Sequence, residues 1–182
     1  MGAMTQTAGR QEAGLLASAA AGDEIAFRRI IAAYHDDMRK VCLAIAADRA
    51  IAEDATQSAW IIAWKRLGDV HDEGHLRPWL VTVAANEAKQ LVRKRRRRAE
   101  VEVPADVARV PDGIDPATDV VDIDVQEAMA RLDPDDRALL ALRYVAGFDS
   151  NELARAIGIS PSGTRNRLER LLKRLREELD HG

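Results

Sequence analysis

The sequence is poor in the residues that oxidising compartments and membranes require. Its 182 residues contain one cysteine, Cys42, so an internal disulfide cannot form, and its place on an apolar helical stripe favours a buried thiol. No apolar run approaches the roughly 18 residues that span a bilayer, and the N-terminus lacks the pattern of a signal peptide. We therefore predict a cytoplasmic protein without a membrane-inserted segment.

Signatures of catalysis are also missing. The sequence has no glycine-rich phosphate loop and no G-x-S-x-G turn. His71 and His75 lie in an acidic loop, which leaves a metal site open, but without a cysteine partner a polar loop is the favoured interpretation. We predict that the protein is not an enzyme and needs neither a cofactor nor a metal.

What the sequence does have is helical periodicity along most of its length. Apolar residues recur every three or four positions after Asp23 and define one face of a first helix: Ile30, Ile31, Tyr34, Met38, Val41, Cys42 and Ile45. A second helix is expected to end at Gly68 in the left-handed conformation, and a third to have Pro78 at its first position. Because alternating β-branched runs are scarce, the pattern predicts an all-α protein.

The distribution of charge divides the chain. The formal net charge is -3, yet six consecutive cations, Arg93 to Arg98, end the third helix. The next segment, residues 100–124, contains 1 Lys or Arg against 8 Asp or Glu and has no sustained period. In chain order we predict a partly disordered N-terminal extension, a helical domain, an extended acidic linker and a second helical domain: residues 1–21, 22–98, 99–124 and 125–182.

The second domain carries the signals of a helix-turn-helix. Asp149 and Glu152 are spaced as a capping box for a short helix that ends at Gly158. Ser160 and Pro161 can then start a last helix, whose predicted buried stripe is Leu168, Leu171, Leu172, Leu175 and Leu179. Two helices joined by a turn of about three residues are typical of a helix-turn-helix.

The last helix is strongly basic on the faces that its leucines leave free. Its cations before residue 177 stand against Glu169 alone: Arg165, Arg167, Arg170, Lys173, Arg174 and Arg176. In a helix-turn-helix the N-terminal residues of this helix reach base edges in the major groove, where arginine suits guanine and asparagine suits adenine. We predict DNA binding here, the alternative being a solvated basic face. The run Arg93 to Arg98 indicates a nearby polyanion without distinguishing bases from phosphates.

Three tryptophans remain to be placed. Trp64 and Trp79 are interpreted as core or cover for the helices that carry them. Trp60 stands beside the polar residues Asp54 and Gln57, so a contact surface is as good an interpretation of it as a core position.

In chain order these segments resemble the extracytoplasmic-function (ECF) class of bacterial RNA polymerase sigma factors, members of the sigma-70 family. The resemblance extends from about residue 22 to 179. "AEDATQSAWIIAW" with "RPWLVTVAANEAKQLVRKRRRR" is similar to the second domain of the family, and "LDPDDRALLALRYVAGFDSNELARAIGISPSGTRNRLERLLKRLREEL" is similar to the fourth. The resemblance implies an initiation factor that binds core RNA polymerase, reads a bipartite promoter, assists strand opening and is then released.

The resemblance also implies roles for individual residues. A helix that would dock on the clamp of the large polymerase subunit carries Glu53, Asp54, Gln57, Ser58, Trp60 and Trp64. The non-template strand of the minus-ten element, including an extruded base, would contact His71, His75, Arg77, Trp79, Asn86, Lys89 and Arg93. The flap region of polymerase would hold the second domain, whose minus-thirty-five readers would be Ser162, Thr164, Arg165, Asn166, Arg167, Glu169, Arg170 and Lys173.

The linker and the free state follow from the same resemblance. The acidic segment would enter the cationic RNA channel of polymerase as an RNA mimic, the alternative being a solvated spacer. Surfaces made for polymerase and DNA imply either compact packing of the two domains in the free protein or capture by an anti-sigma protein. Two other classes stay open: a conventional helix-turn-helix regulator that acts on duplex DNA without polymerase, and an adaptor that uses the helices for protein contact only.

Overall fold

The computed structural model describes residues 14–101, 128–129 and 131–180, and every regular element in these residues is helical. The main helices are α1 Glu24–Ala46, α2 Arg49–Arg66, α3 Leu76–Val101, α4 Pro134–Leu140, α5 Ser150–Ile157 and α6 Pro161–Asp180. The predicted all-α fold class is confirmed. The linker prediction falls almost wholly on residues outside the described part of the chain, as do residues 1–13 of the predicted N-terminal extension.

The first domain is a bundle in which α1, α2 and α3 each pack against the other two. Helix α2 contributes small side chains to this contact: Ala52, Ala55, Ala59 and Ala63 are at most 1% exposed, which lets the neighbouring helices approach closely. The stripe predicted for α1 is confirmed, because Ile30, Met38, Val41, Cys42 and Ile45 are buried. The helical residues 14–20 add Leu16 and Ala19 to the same core.

Two predicted helix boundaries differ from the structure. Gly68 does not adopt the left-handed conformation, because α2 continues at Leu67 into a 3-10 turn, Leu67–Asp69, that closes without a positive φ. Helix α3 begins at Leu76, so Pro78 is its third residue rather than its first. The amides in the first turn of a helix have no partner within the helix, so a proline is accepted at the third position as readily as at the first.

The second domain has the predicted helix-turn-helix. Asp149 accepts hydrogen bonds from the amides of Asn151 and Glu152, and the Glu152 carboxylate accepts one from the Asp149 amide, which completes the capping box. Gly158 ends α5 with φ 79°, and the Ser160 hydroxyl then caps α6 by accepting from the Gly163 amide at 3.1 Å. Of the leucine stripe on α6, Leu171 is buried and Leu179, near the end, is 40% exposed.

The two domains share one apolar core in the described part of the chain. Helix α4 and the π-helical turn that continues it, Ala141–Val145, pack against α1 and α3, and α5 also contacts α3. Leu139, Leu142 and Phe148 of the second domain are nearly inaccessible to solvent and belong to the same cluster as Ile30 and Leu80 of the first. The described residues thus have the compact packing of the two domains that was one of the two expectations, and capture by an anti-sigma protein stays a prediction.

Candidate polymerase and nucleic-acid interfaces

One face of α2 combines polar and apolar side chains in contact with solvent. Glu53, Asp54 and Gln57 are exposed and Ser58 is half-buried. The stripe continues through Ile61, 58% exposed, to Trp64, 40% exposed. Sequence analysis did not single out Ile61, although its position four residues after Gln57 and three before Trp64 puts it on the same side of the helix.

The two tryptophans of α2, which the resemblance implies are both polymerase contacts, lie in different environments. Trp60, for which a contact surface and a core position were equally good interpretations, is 9% exposed, and its indole Nε1–H donates to Nδ1 of His35 at 3.2 Å, so it occupies the core position. Trp64, interpreted from its spacing as core or cover and from the resemblance as a polymerase contact, lies at the surface with its ring 4.8 Å from that of Phe27. A buried indole requires an acceptor for its N–H, and His35 on α1 supplies one that periodicity alone could not reveal.

The loop between α2 and α3 forms a shallow cavity of about 270 Å³. Its lining combines aromatic and acidic groups with one apolar residue: Asp69, Val70, His71, Asp72, His75 and Trp79. The Asp72 carboxylate accepts a hydrogen bond from the Gly74 amide at 2.9 Å and lies 2.9 Å from Nδ1 of His75. The hydrogen bond from the Gly74 amide is the larger cause, and the interaction with His75 the smaller, of a lowered pKa for Asp72. Three of the seven predicted minus-ten residues therefore meet in one cavity.

Further along α3, the side chains of Asn86, Lys89 and Arg93 continue the predicted minus-ten surface. Asn86 is half-buried, the Lys89 side chain is 20% exposed and the Arg93 side chain is 46% exposed. Arg77 is directed elsewhere, because its Nε donates to Asp37 of α1 at 2.7 Å and its Nη2 donates to the carbonyl of Ala146 at 3.1 Å. Arg77 thus serves as a bridge between the two domains in this structure.

The predicted minus-thirty-five residues on α6 divide into two groups. Ser162, Arg165, Asn166, Glu169, Arg170 and Lys173 are exposed. Thr164 is 1% exposed, and its hydroxyl donates to the carbonyl of Ser160 at 3.0 Å, so the prediction that it is presented to DNA does not hold in this structure. Arg167 is also held internally, by a carboxylate of α4.

That carboxylate belongs to Asp136, which is 7% exposed. Arg167 donates from Nε at 3.0 Å and from Nη2 at 2.7 Å to the same oxygen of Asp136, and Arg174 lies 3.7 Å from the other oxygen. A cavity of about 300 Å³ opens beside them, with Arg170 and Leu171 completing its lining. The arrangement fixes the orientation of α6 relative to α4. Nothing in the sequence distinguished Asp136 from its neighbours Asp133 and Asp135.

The thiol of Cys42 has a structural environment. Cys42 is fully buried, its thiol donates to the carbonyl of Ala84 at 3.5 Å, and burial raises its pKa to about 11.

Among the described residues, no three side chains of His, Cys, Asp or Glu converge as metal ligands do. Within the same residues, no helix is both long enough and apolar enough to cross a membrane.

Two family descriptions match the chain in the order of its domains. Residues 30–98 match sigma-70 region 2, and residues 122–175 match sigma-70 region 4. Together these matches cover more than half of the chain, and they coincide with the two helical domains. The chain therefore belongs to the sigma-70 family of RNA polymerase sigma factors, and its relatives place it in the ECF class.

Particular relatives show the extent of the likeness. A probable RNA polymerase sigma factor of Xanthomonas campestris pv. campestris, RfaY, is 33% identical over 90% of this chain, which spans 43% of that protein's length. The sigma factor CarQ of Myxococcus xanthus is 29% identical over 87% of this chain and 91% of its own. The ECF sigma factor SigM of Mycobacterium tuberculosis is 29% identical over 91% of this chain and 83% of its own.

Two solved structures share the fold. CnrH, solved in complex with the cytosolic domain of CnrY, superposes with a TM-score of 0.68 at 23% identity, over 93% of this chain and 97% of CnrH. The sigma factor RpoE of Bartonella quintana, solved with the anti-sigma factor NepR, gives a TM-score of 0.70 at 24% identity, over 85% of this chain and 96% of RpoE. At these identities the likeness is one of fold.

Proposed function

We propose that this chain is a transcription initiation factor that binds core RNA polymerase, directs it to promoters by reading minus-ten and minus-thirty-five elements, assists strand opening and is then released. The observation that carries the proposal is the presence, on one chain of this family, of a docking stripe on α2, a loop cavity in the first domain and an exposed basic helix in the second. No catalytic step of its own is required.

Reading of the minus-ten element is assigned to the cavity that His71, His75 and Trp79 line. A base taken out of the stack loses a few kcal/mol, and stacking on an aromatic side chain returns about 1–3 kcal/mol per base. The cavity volume of about 270 Å³ lies near the lower end for ligand pockets, about 300 Å³. Lys89 and Arg93 lie on the same helix as Trp79 and would neutralise the phosphates that follow the captured base.

Reading of the minus-thirty-five element is assigned to the exposed N-terminal half of α6. Arg165, Asn166 and Glu169 have the donors and acceptors that base edges match, and Arg170 is free of any acidic partner among the described contacts, its Nε donating only to the Asn166 carbonyl. Lys173 lies within reach of Glu177 at 3.7 Å and is better suited to a phosphate. Arg167 contributes by holding the helix rather than by reading bases.

Polymerase docking is assigned to the stripe on α2. Ile61 and Trp64 supply apolar surface at the end of a polar row, the composition of a protein interface whose centre is apolar and whose rim is polar. Anti-sigma capture is assigned to this protein because CnrH and RpoE, which share its fold, were each solved with a partner, and NepR is named as an anti-sigma factor. The acidic linker is proposed to act in the RNA channel of polymerase.

The test is transcription in vitro with purified core polymerase and fragmented genomic DNA, followed by sequencing of RNA start sites. New starts that share two upstream elements are expected with the wild-type chain. Asn166→Ala should shift or abolish the distal element, while Arg176→Ala, an exposed residue further along the same helix, serves as the matched control. Specific binding to duplex DNA without any new starts would instead support a conventional helix-turn-helix regulator.

A further inference from the structure

The cavity between α4 and α6 has a strongly cationic lining. Three arginines of α6, Arg167, Arg170 and Arg174, line it together with a single carboxylate, that of Asp136. The arginines follow one another at spacings of three and four residues, so their side chains stand along one side of the helix. Like charges at this spacing repel each other, and an anion placed among them is stabilised.

Asp136 neutralises only part of this charge. One of its oxygens accepts hydrogen bonds from Nε and Nη2 of Arg167, while Nη1 of Arg174 lies 3.7 Å from the other oxygen, which is too far for a hydrogen bond. The nearby Asp133 carboxylate caps α4 by accepting from two backbone amides, and it does not line the cavity. Three guanidinium groups against one carboxylate leave the lining with an excess of two positive charges.

Arg170 and Arg174 have unused hydrogen-bond donors. Nε of Arg170 donates to the Asn166 carbonyl at 3.3 Å, and its two terminal nitrogens contact no acceptor within the part of the chain that the structure describes. The Arg174 side chain is 58% exposed, and its contact with Asp136 is the long one. The planar guanidinium group presents pairs of N–H donors that match two oxygens of a phosphate, which is why arginine is frequent at phosphate sites.

The cavity opens on a different side of α6 from the residues assigned to base reading. At about 100° per residue, the centre of Arg165, Asn166 and Glu169 lies roughly 140° around the helix axis from the centre of the cavity residues. Leu171, which also lines the cavity, is 2% exposed and belongs to the apolar core. A group bound here therefore faces α4 rather than the duplex surface that Arg165 and Asn166 would contact.

The size of the cavity limits its ligand. Its volume is about 300 Å³, and ligand pockets begin at about this volume. A phosphate or diphosphate group has the charge that balances the lining and several oxygens that can accept from the unused donors of Arg170 and Arg174.

We propose that the cavity between α4 and α6 is a binding site for the phosphate or diphosphate group of a small phosphorylated molecule. Arg170 and Arg174 bind its oxygens, and Asp136 holds the Arg167 guanidinium at the edge of the site. The inference goes beyond the proposed function, because the chemistry of the site does not require that α6 read a promoter. A row of solvated arginines, the alternative, would lose no phosphate-specific effect when one lining arginine is removed.

The first experiment measures the Tm of the full-length chain in inorganic phosphate, in pyrophosphate and in sodium chloride of equal ionic strength. With a Kd of about 2 mM, about 20 mM phosphate raises the ratio of folded to unfolded chain about 10-fold, which increases Tm by about 3–5 °C. Pyrophosphate has more oxygens for the same donors and should give the larger increase. No increase over chloride with either anion would overturn the site.

Two lining variants and a matched control assign the effect to the cavity. Arg170→Gln and Arg174→Gln each remove one cation of the lining, and Arg176→Gln removes the same charge from an exposed residue of α6 outside it. Phosphate also stabilises proteins through its exclusion from their surfaces, so the difference between variants is the result that counts. Both lining variants should lose most of the increase in Tm that the wild type and Arg176→Gln retain, whereas equal increases in all four chains would overturn the proposal.

Duplex binding separates a small phosphorylated ligand from the phosphates of DNA. Fluorescence anisotropy gives the affinity of Arg174→Gln and Arg176→Gln for a fluorescein-labelled duplex of about 20 base pairs over a range of salt concentrations. Equal salt slopes, together with the loss of the phosphate effect in Arg174→Gln, support the small-molecule site. A slope smaller by about 0.9 for Arg174→Gln would assign its charge to the DNA backbone and overturn that site. Circular dichroism in chloride checks that each variant remains helical.

Discussion

Asp135 and Asp136 are neighbours of one residue type whose carboxylates face different partners, so they allow a matched test of what holds the reading helix. We expect Asp136→Asn to destabilise the protein substantially and Asp135→Asn to have little effect on stability. Asp136 is 7% exposed and accepts two hydrogen bonds from Arg167, at 2.7 and 3.0 Å. The Asp135 side chain is 42% exposed, as is typical of a surface ion pair.

The magnitude follows from burial. Removing one member of a fully buried ion pair costs about 3–5 kcal/mol. The Arg167 side chain is 33% exposed and the Arg174 side chain is 58% exposed, so water can take over part of their solvation after the carboxylate is lost. Asparagine also keeps one acceptor oxygen in place. We therefore expect about 2 kcal/mol for Asp136→Asn, and less than about 1 kcal/mol for Asp135→Asn.

The assay is urea denaturation of the full-length chain followed by circular dichroism, with both aspartate variants and Arg167→Gln. A double-mutant cycle between Asp136 and Arg167 should give a coupling of about 1–2 kcal/mol. Duplex binding should weaken for Asp136→Asn because α6 is no longer oriented against α4. Equal stability of the two aspartate variants, or a coupling near zero, would refute the reasoning that this ion pair positions the helix.

Three further predictions concern other parts of the molecule. Burial raises the pKa of the Cys42 thiol from 9.0 to about 11, so the stability that the protonated thiol contributes is complete below pH 9 and is lost as the pH rises through 11. At pH 8 a thiol reagent should modify Cys42 only after the chain unfolds, and fast labelling of the folded chain would contradict the burial of the thiol. Ile61→Ala should weaken binding to core polymerase about 10-fold while Leu179→Ala does not, as a pull-down titration would measure. Arg170→Ala should reduce the salt slope of duplex binding by about 0.9 relative to Arg176→Ala, and an unchanged slope would remove Arg170 from the DNA contacts.

Much of the candidate site could be predicted because its signals are local. The capping box at Asp149 and the left-handed Gly158 are decided by a few adjacent residues, and the exposed half of α6 follows from its leucine spacing. Thr164 shows where this reasoning fails. Its position on the helix is that of a residue that contacts bases, but its hydroxyl donates a hydrogen bond to the Ser160 carbonyl and its side chain is buried.

The sequence by itself determined the all-α class, the order of the two family domains and the helix-turn-helix, because helix periodicity, caps and motif spacing are properties of neighbouring residues. Only the tertiary structure decided which tryptophan of α2 is exposed, which arginine of α6 is bound by a buried carboxylate and where Asp135 lies. Each of these depends on a partner more than 20 residues away: His35 for Trp60, Asp136 for Arg167, and Lys89 with Arg93 for Asp135. Burial and charge pairing are set by such distant partners, which no local pattern encodes.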